Sequence, residues 1–324
     1  MGTAQARLRR LLGRTTAGGP VDEAVVIGSV ELPNAVMCAS GTAGHGAELG
    51  AFFDLNDVGA IVSKSLAAYP WEGNAAPRVH QTPAGMINAV GLQGPGVQGW
   101  IDNYLDDLTT AGARVVASIW GRSIEEYAEA ARLLAPVADR LTALEVNVSC
   151  PNVEDRDRMF AHSVDSTGAA IEASKVAGLP LWAKLSPNIG DVVPIAAAAR
   201  DAGAEAVTLA NTLIGIAIDI HARRPILSNG RGGLSGPGIR PVAVRTCWDV
   251  FNSLPELPII GVGGIAEGEN AIEFLMAGAC AVQVGTATFA DPRAAVHVRA
   301  QMREWCSNHQ VRDIRSLTGA AHQA

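Results

Sequence analysis

Lysine is nearly missing from this 324-residue chain: of 25 basic residues, 22 are Arg and only Lys64, Lys175 and Lys184 are Lys. A coding bias towards Arg explains the surface. Where Lys survives such a bias, a compact ammonium with a tunable pKa is needed that a guanidinium cannot imitate. A basic balance is missing as well. The net charge of −7 and pI near 5.5 exclude the cationic face a nucleic-acid binder needs. No apolar run approaches the ~18 residues of a membrane span. Arg7, Arg9, Arg10 and Arg14 have no apolar stretch behind them, so the N-terminus does not read as a secretory signal. The five cysteines (Cys38, Cys150, Cys247, Cys280 and Cys306) are far apart, odd in number and never CxxC. That excludes a disulfide scaffold or a zinc site, leaves no metal-ligand set, and suits a reducing cytoplasm. Charged residues are 18% against 48% hydrophobic, which excludes disorder for the bulk of the chain.

The length fits two small domains or one α/β barrel of ~250 residues with trimmings. Residues 1–20 read as a basic extension, either a frayed tail or a short docking helix. From residue 21 to 324 one rhythm repeats: a short β-rich run, a few Gly, Asn or Ser, then a helical stretch. The expected strands are Ala35–Ala39, Ala60–Ser63, Val115–Ile119, Leu144–Val148, Leu181–Leu185, Ala206–Leu209, Ile259–Val262 and Ala281–Val284. Most are nearly continuous apolar runs, as parallel strands covered on both faces require. Ser123 is placed to cap a helix over Ile124–Ala138, with Glu126 completing a capping box. Helices are also expected over Thr167–Val176, Asp191–Ala202, Pro241–Phe251, Gly268–Ala277 and Pro292–Cys306. Strict βα alternation over eight strands predicts a single-domain α/β fold, a (β/α)8 TIM barrel. A doubly wound open sheet is the alternative. The long inserts 65–100, 150–166 and 212–238 all follow strands, which in a barrel is the face where active sites form.

Polar residues open each of these loops. Ser40-Gly41 follows the first strand, Lys64-Ser65 the second, and Asn147 to Asn152 (Asn-Val-Ser-Cys-Pro-Asn) the fourth. Lys184 ends the fifth, Asn211-Thr212 follows the sixth, Gly263-Gly264 the seventh and Gly285-Thr286 the eighth. Scattered, these would be turn formers; gathered at one mouth they supply two ammonium groups, several carboxamides, a thiol and two Gly-rich anion cradles. Gly263-Gly264 and Gly285-Thr286 leave backbone N–H groups open at helix starts, the usual phosphate position of this fold. Gly263-Gly264 alone is a weak signal, equally a tight turn. Cys150 would ordinarily be an inert buried thiol. Flanked by polar residues and fixed by Pro151, it suits presentation to a ligand. Asn88, Asn147, Asn152 and Asn211 can each donate and accept, matching a ring with alternating C=O and N–H groups. Cys38, Cys247, Cys280 and Cys306 fall in strand or helix runs and read as structural.

With Asn88-Ala89-Val90-Gly91-Leu92 and Gly233-Leu234-Ser235-Gly236-Pro237 added, these segments resemble dihydroorotate dehydrogenase, in order and at family spacing from about Val25 to Arg293. A Cys at position 150 is similar to class 1, and Gly91-Leu92-Gln93-Gly94-Pro95-Gly96 resembles class 1B. The resemblance implies FMN and oxidation of (S)-dihydroorotate to orotate, in pyrimidine biosynthesis. It implies Cys150 as general base, and Lys64 between flavin and substrate. Asn88, Gly91, Leu92, Asn147, Asn152, Asn211 and Thr212 would hold the pyrimidine. Lys184 would contact the flavin ring; Ser40, Gly41, Ser65, Asn147, Gly236, Gly263, Gly264, Gly285 and Thr286 would hold the rest of FMN. It also implies a homodimer, or a heterotetramer with an FAD and iron–sulfur subunit passing electrons to NAD, since this chain has no Cys cluster of its own.

Three departures stand out. The family's Gly-Gly lid ending in Phe-Gly reads here Val153-Glu154-Asp155-Arg156-Asp157-Arg158-Met159-Phe160-Ala161-His162, a strand-three Asn that touches flavin is Ser118, and a Tyr near the first loop is His45. They leave open a flavin oxidoreductase acting on another cyclic amide or dihydropyrimidine. A Schiff-base lyase using Lys184 and a non-catalytic flavin- or phosphate-binding module are the readings from other classes.

Overall fold

Runs of Val, Ile, Leu and Ala buried on both faces form the centre of the molecule. A computed structural model describes residues 20–149, 151–152 and 158–323. Eight strands close in sequence order into a barrel: β1 (Val36–Cys38), β2 (Ile61–Val62), β3 (Val115–Ile119), β4 (Ala143–Asn147), β5 (Leu181–Lys184), β6 (Ala206–Leu209), β7 (Ile259–Val262) and β8 (Ala281–Val284). Every neighbouring pair is parallel, including the closing pair β8–β1, where Val282 faces Val36. This is the (β/α)8 barrel expected from the alternation, and the closed order removes the open sheet. Residues 1–19, most of the expected basic extension, lie outside the described residues.

Helices pack around the barrel close to their expected positions. Ser123 caps Ile124–Leu134 by accepting from the Glu126 N–H, after which the chain tightens into a 3-10 turn at Ala135–Arg140, where Pro136 sits. The capping box is incomplete: the Glu126 carboxylate accepts from the Arg122 N–H at 2.7 Å instead. The next helix begins earlier than expected, at Val164, because Ser163 caps it. The others run Val193–Asp201, Arg240–Ser253, Gly268–Met276 and Ala294–Asn308.

Two features go beyond that reading. A helical stretch from Gly96 to Thr110 joins β2 to β3, with a π-helical segment at Ile101–Leu105 between two α-helical turns. Over the barrel mouth, the inserts after β2 and β6 meet in a four-stranded antiparallel sheet. Its order is Leu213–Ile216, Arg231–Ser235, Gly85–Asn88, Val79–Thr82. Pairing of Gly233 with Asn88 ties the two inserts together and forms one wall of the site.

Candidate active site

A cavity of about 650 Å³ opens at the C-terminal ends of the strands, beneath this sheet. The size suits a cofactor or substrate site. Ser40 and Gly41 reach it from beyond β1, Lys64 and Ser65 from beyond β2, Asn147 and Lys184 from the ends of β4 and β5. Asn211, Thr212, Gly263, Gly264, Gly285 and Thr286 complete the ring of strand ends, and Asn88, Gly91, Leu92 and Gly236 come from the covering inserts. Cys150 lies outside the described residues. Asn152 is described only in its backbone, paired with Arg158. Cys38, Cys247 and Cys306 are buried, and burial pushes the Cys38 thiol up to about 12. Cys280 lies in the turn before β8, not in a strand or helix, and burial holds its thiol up to about 12 too.

Beneath the cavity, polar side chains are joined. The Asn211 amide donates to Asn147 Oδ1 at 3.1 Å, and Asn147 Nδ2 donates to Ser65 Oγ at 3.3 Å. Ser65 Oγ lies 3.3 Å from Ser40 Oγ and 2.9 Å from Ser118 Oγ. Ser118 is fully buried and stands below the lining residues, in contact with them through Ser65. Under it lies Glu145 of β4, with no exposed surface. Its carboxylate accepts from Gln283 at 2.8 Å and Thr208 at 3.2 Å, and its Oε1 is 3.4 Å from Lys184 Nζ. Glu145, Thr208 and Gln283 were not legible as site residues. Their signal was a polar residue at alternate positions of an apolar strand, which places all of them inside the barrel.

The seventh and eighth strand ends differ from expectation in one respect. Gly263-Gly264 do not open a helix, since Gly268–Met276 begins later; Gly285 is the N-cap of a short 3-10 turn, Thr286–Phe289. The N–H groups of Gly263, Gly264, Gly285 and Thr286 nonetheless meet no protein acceptor among the described residues. Gly264 has φ +78°, and a Cβ there would lie 2.9 Å from Gly236 O, so only glycine passes this close. Unpaired amides converging on one corner of a cavity suit the oxygens of a phosphate.

Charge sharpens the picture. The chain is acidic, yet the described lining residues include Lys64, Lys184, Arg122 and Arg231 and no Asp or Glu. Burial, then the Arg78 guanidinium, hold the Lys64 ammonium below the usual lysine value. Next to it, burial and the charge of Lys64 lower His45, against an opposing pull from Glu48. A cation kept partly out of water, with no carboxylate partner among the described residues, suits an anionic ligand. Trp71 and Trp120, which the sequence did not single out, form an edge-to-face pair at 6.1 Å on the cavity wall, with Arg122 over the Trp71 ring. The Trp71 indole also donates to Gly91 O at 2.9 Å and so fixes the Gly91–Leu92 segment.

Open backbone amides at one corner, a hydrogen-bonding floor and cationic walls suit an anionic ligand. Comparison with known proteins points the same way. Residues 24–305 match the family model described as dihydroorotate dehydrogenase. The chain is 45% identical over 303 residues to the dihydroorotate dehydrogenase B (NAD(+)) catalytic subunit of Geobacter sp. (strain M21), covering 92% of this chain and 98% of that protein. It is 45% identical to the subunit of the same name from Alkaliphilus metalliredigens, covering 93% and 99%, and 46% identical to that of Desulforudis audaxviator, covering 94% and 98%. The chain belongs to the dihydroorotate dehydrogenase family, on the branch of the class 1B catalytic subunits.

Proposed function

We propose that this chain oxidises (S)-dihydroorotate to orotate in pyrimidine (UMP) biosynthesis, with FMN as its bound electron acceptor. The observation that carries this reading is the cavity's polarity: four cations, no described carboxylate, and four unpaired amides at one corner. FMN, when bound, supplies a two-electron acceptor that takes a hydride. Gly263, Gly264, Gly285 and Thr286 hold its phosphate, helped by Gly236. Ser40, Gly41, Ser65, Asn147 and Lys184 line the ring's place on the cavity floor.

Asn88, Asn147, Asn152 and Asn211 hold the pyrimidine, whose amide groups need a donor and an acceptor side by side. Gly91, Leu92 and Thr212 contribute contacts from the covering loops. Lys64 puts a positive charge between the two ligands, where negative charge accumulates as electrons move. Cys150, as thiolate, would take the proton from C5 of the substrate, and bound FMN would supply the acceptor for the hydride lost from C6, leaving the C5–C6 double bond of orotate. A free thiol titrates near ~8.5, so turnover rises with pH through the neutral range. Lys184 is not a Schiff-base nucleophile in this reading, since its ammonium is engaged by Glu145 at 3.4 Å.

The named relatives are the catalytic subunits of NAD(+)-linked enzymes. In our reading electrons leave this chain through a partner subunit with FAD and an iron–sulfur cluster, the chain forming a homodimer or a heterotetramer with that subunit, in the cytoplasm. No helix of the described residues is long and apolar enough to cross a membrane. The test is the absorption spectrum of the purified protein, mass spectrometry of what heat releases, and titration with orotate. A flavin spectrum, released FMN and an orotate-induced perturbation support the reading. A flavin protein that ignores millimolar orotate but responds to another cyclic amide transfers it to that substrate.

A further inference from the structure

Glu145 has no place in the chemistry just described, and a carboxylate in the middle of a barrel is costly unless every oxygen is satisfied. It is satisfied, and in a particular way. Oε2 accepts from Gln283 and Thr208; Oε1 faces Lys184 at 3.4 Å and the Ser118 hydroxyl at 3.5 Å. All four partners are placed to donate, and the Lys184 ammonium can only donate, a set that suits an ionised carboxylate. Lys184 lines the cavity while Glu145 lies behind it. The carboxylate also orders the serines above it. If Ser118 donates down to Glu145, Ser65 must donate to Ser118 and can only accept from Asn147 Nδ2 and Ser40. That leaves Asn147 Oδ1 to accept from Asn211 and the Ser149 N–H.

We infer that Glu145 is a positioning residue: it holds the Lys184 ammonium under the cavity floor and offsets its charge there. The inference rests on the flavin reading of the cavity. Without the Glu145 charge, the uncompensated ammonium favours the electron-rich cofactor, so Glu145 keeps the bound flavin from becoming too strong an oxidant to pass electrons onward.

The experiment is a flavin potential, measured by equilibration with a reference dye, in the holoprotein carrying Glu145→Gln, Lys184→Met or both. Glu145→Gln alone should raise the reduced-to-oxidised flavin ratio at least tenfold, about 30 mV for a two-electron couple. In the Lys184→Met background the same change should move it less than twofold, since the effect passes through the lysine. No shift with Glu145→Gln, or equal shifts in both backgrounds, overturns the proposal. A second measurement needs no flavin. In cofactor-free protein, the infrared carboxylate stretch assigned to Glu145 by the Glu145→Gln difference spectrum should move in Lys184→Met, because the cation beside it is gone. An unmoved band overturns the pairing. Protein that binds no flavin sinks the reading of the cavity, while the infrared difference still decides the role of Glu145.

Discussion

Lys64 stands half-buried at the cavity, with no ion pair to a described carboxylate and with the Arg78 charge acting on it. Arginine there keeps the charge but spreads it over a plane that a compact site does not fit. Lys64→Arg should retain flavin and slow its reduction by dihydroorotate at least tenfold in stopped flow; an unchanged rate means the ammonium is not acting on the reaction. Cys150→Ser should lose roughly 10²–10⁴-fold near pH 7, the usual worth of a general base, with flavin content unchanged. Equal rates in the two proteins at pH 7 would remove the thiol as base. His45 answers to acid. Its folded pKa lies below the usual 6.5, so folding disfavours the protonated ring. Its contribution to stability is complete above 6.5 and is lost as pH falls through the lowered value. The melting temperature of the wild type should therefore drop more steeply below pH 6.5 than that of His45→Gln, as a thermal-melt series from pH 5 to 8 would read. At this scale the two cavity lysines were visible as survivors in a lysine-poor chain. Glu145 was not, because one acid inside an apolar run shows neither its partners nor the face it points to until the strand register is known.

Elements defined by local chemistry were the easiest to read. Ser123 before an amphipathic run marks a helix start, and the accepted Glu126 N–H is that cap at work. The covering sheet was harder. Arg231-Gly232-Gly233-Leu234-Ser235 has the composition of a loop and becomes a strand only by pairing with Gly85–Asn88 and Leu213–Ile216, which lie in distant stretches of sequence. The segment Gly96–Thr110 begins with two glycines and a weak pattern, and its π-helical middle breaks the 3.6-residue period. At the proposed phosphate corner the backbone supplies the donors. Gly264→Ala forces a side chain into a left-handed φ and against Gly236 O. The expected result is FMN binding weakened at least tenfold, with orotate affinity of the flavin-loaded fraction unchanged. Fluorescence titration of the cofactor-free protein with FMN checks it, and wild-type affinity would show that this corner does not hold the phosphate.

For the whole molecule, eight buried apolar strands in alternation with helices pointed to a barrel ahead of an open doubly wound sheet, and the closing pair of strands decides between them. The site was less legible as an assembly than as parts. Most strand ends announced a polar residue or a glycine pair, but the excess of positive charge among the described lining residues appears only when Arg122 and Arg231 join Lys64 and Lys184 around one space. The connected floor from Asn211 through Ser65 to Glu145 likewise exists only once the barrel closes. The most direct test of the central claim is an anaerobic titration of the purified protein with dihydroorotate, followed by flavin absorbance and by the orotate formed. The account predicts bleaching of the flavin with one orotate produced per flavin reduced. A flavin band that stays unchanged while dihydroorotate is recovered intact would contradict it.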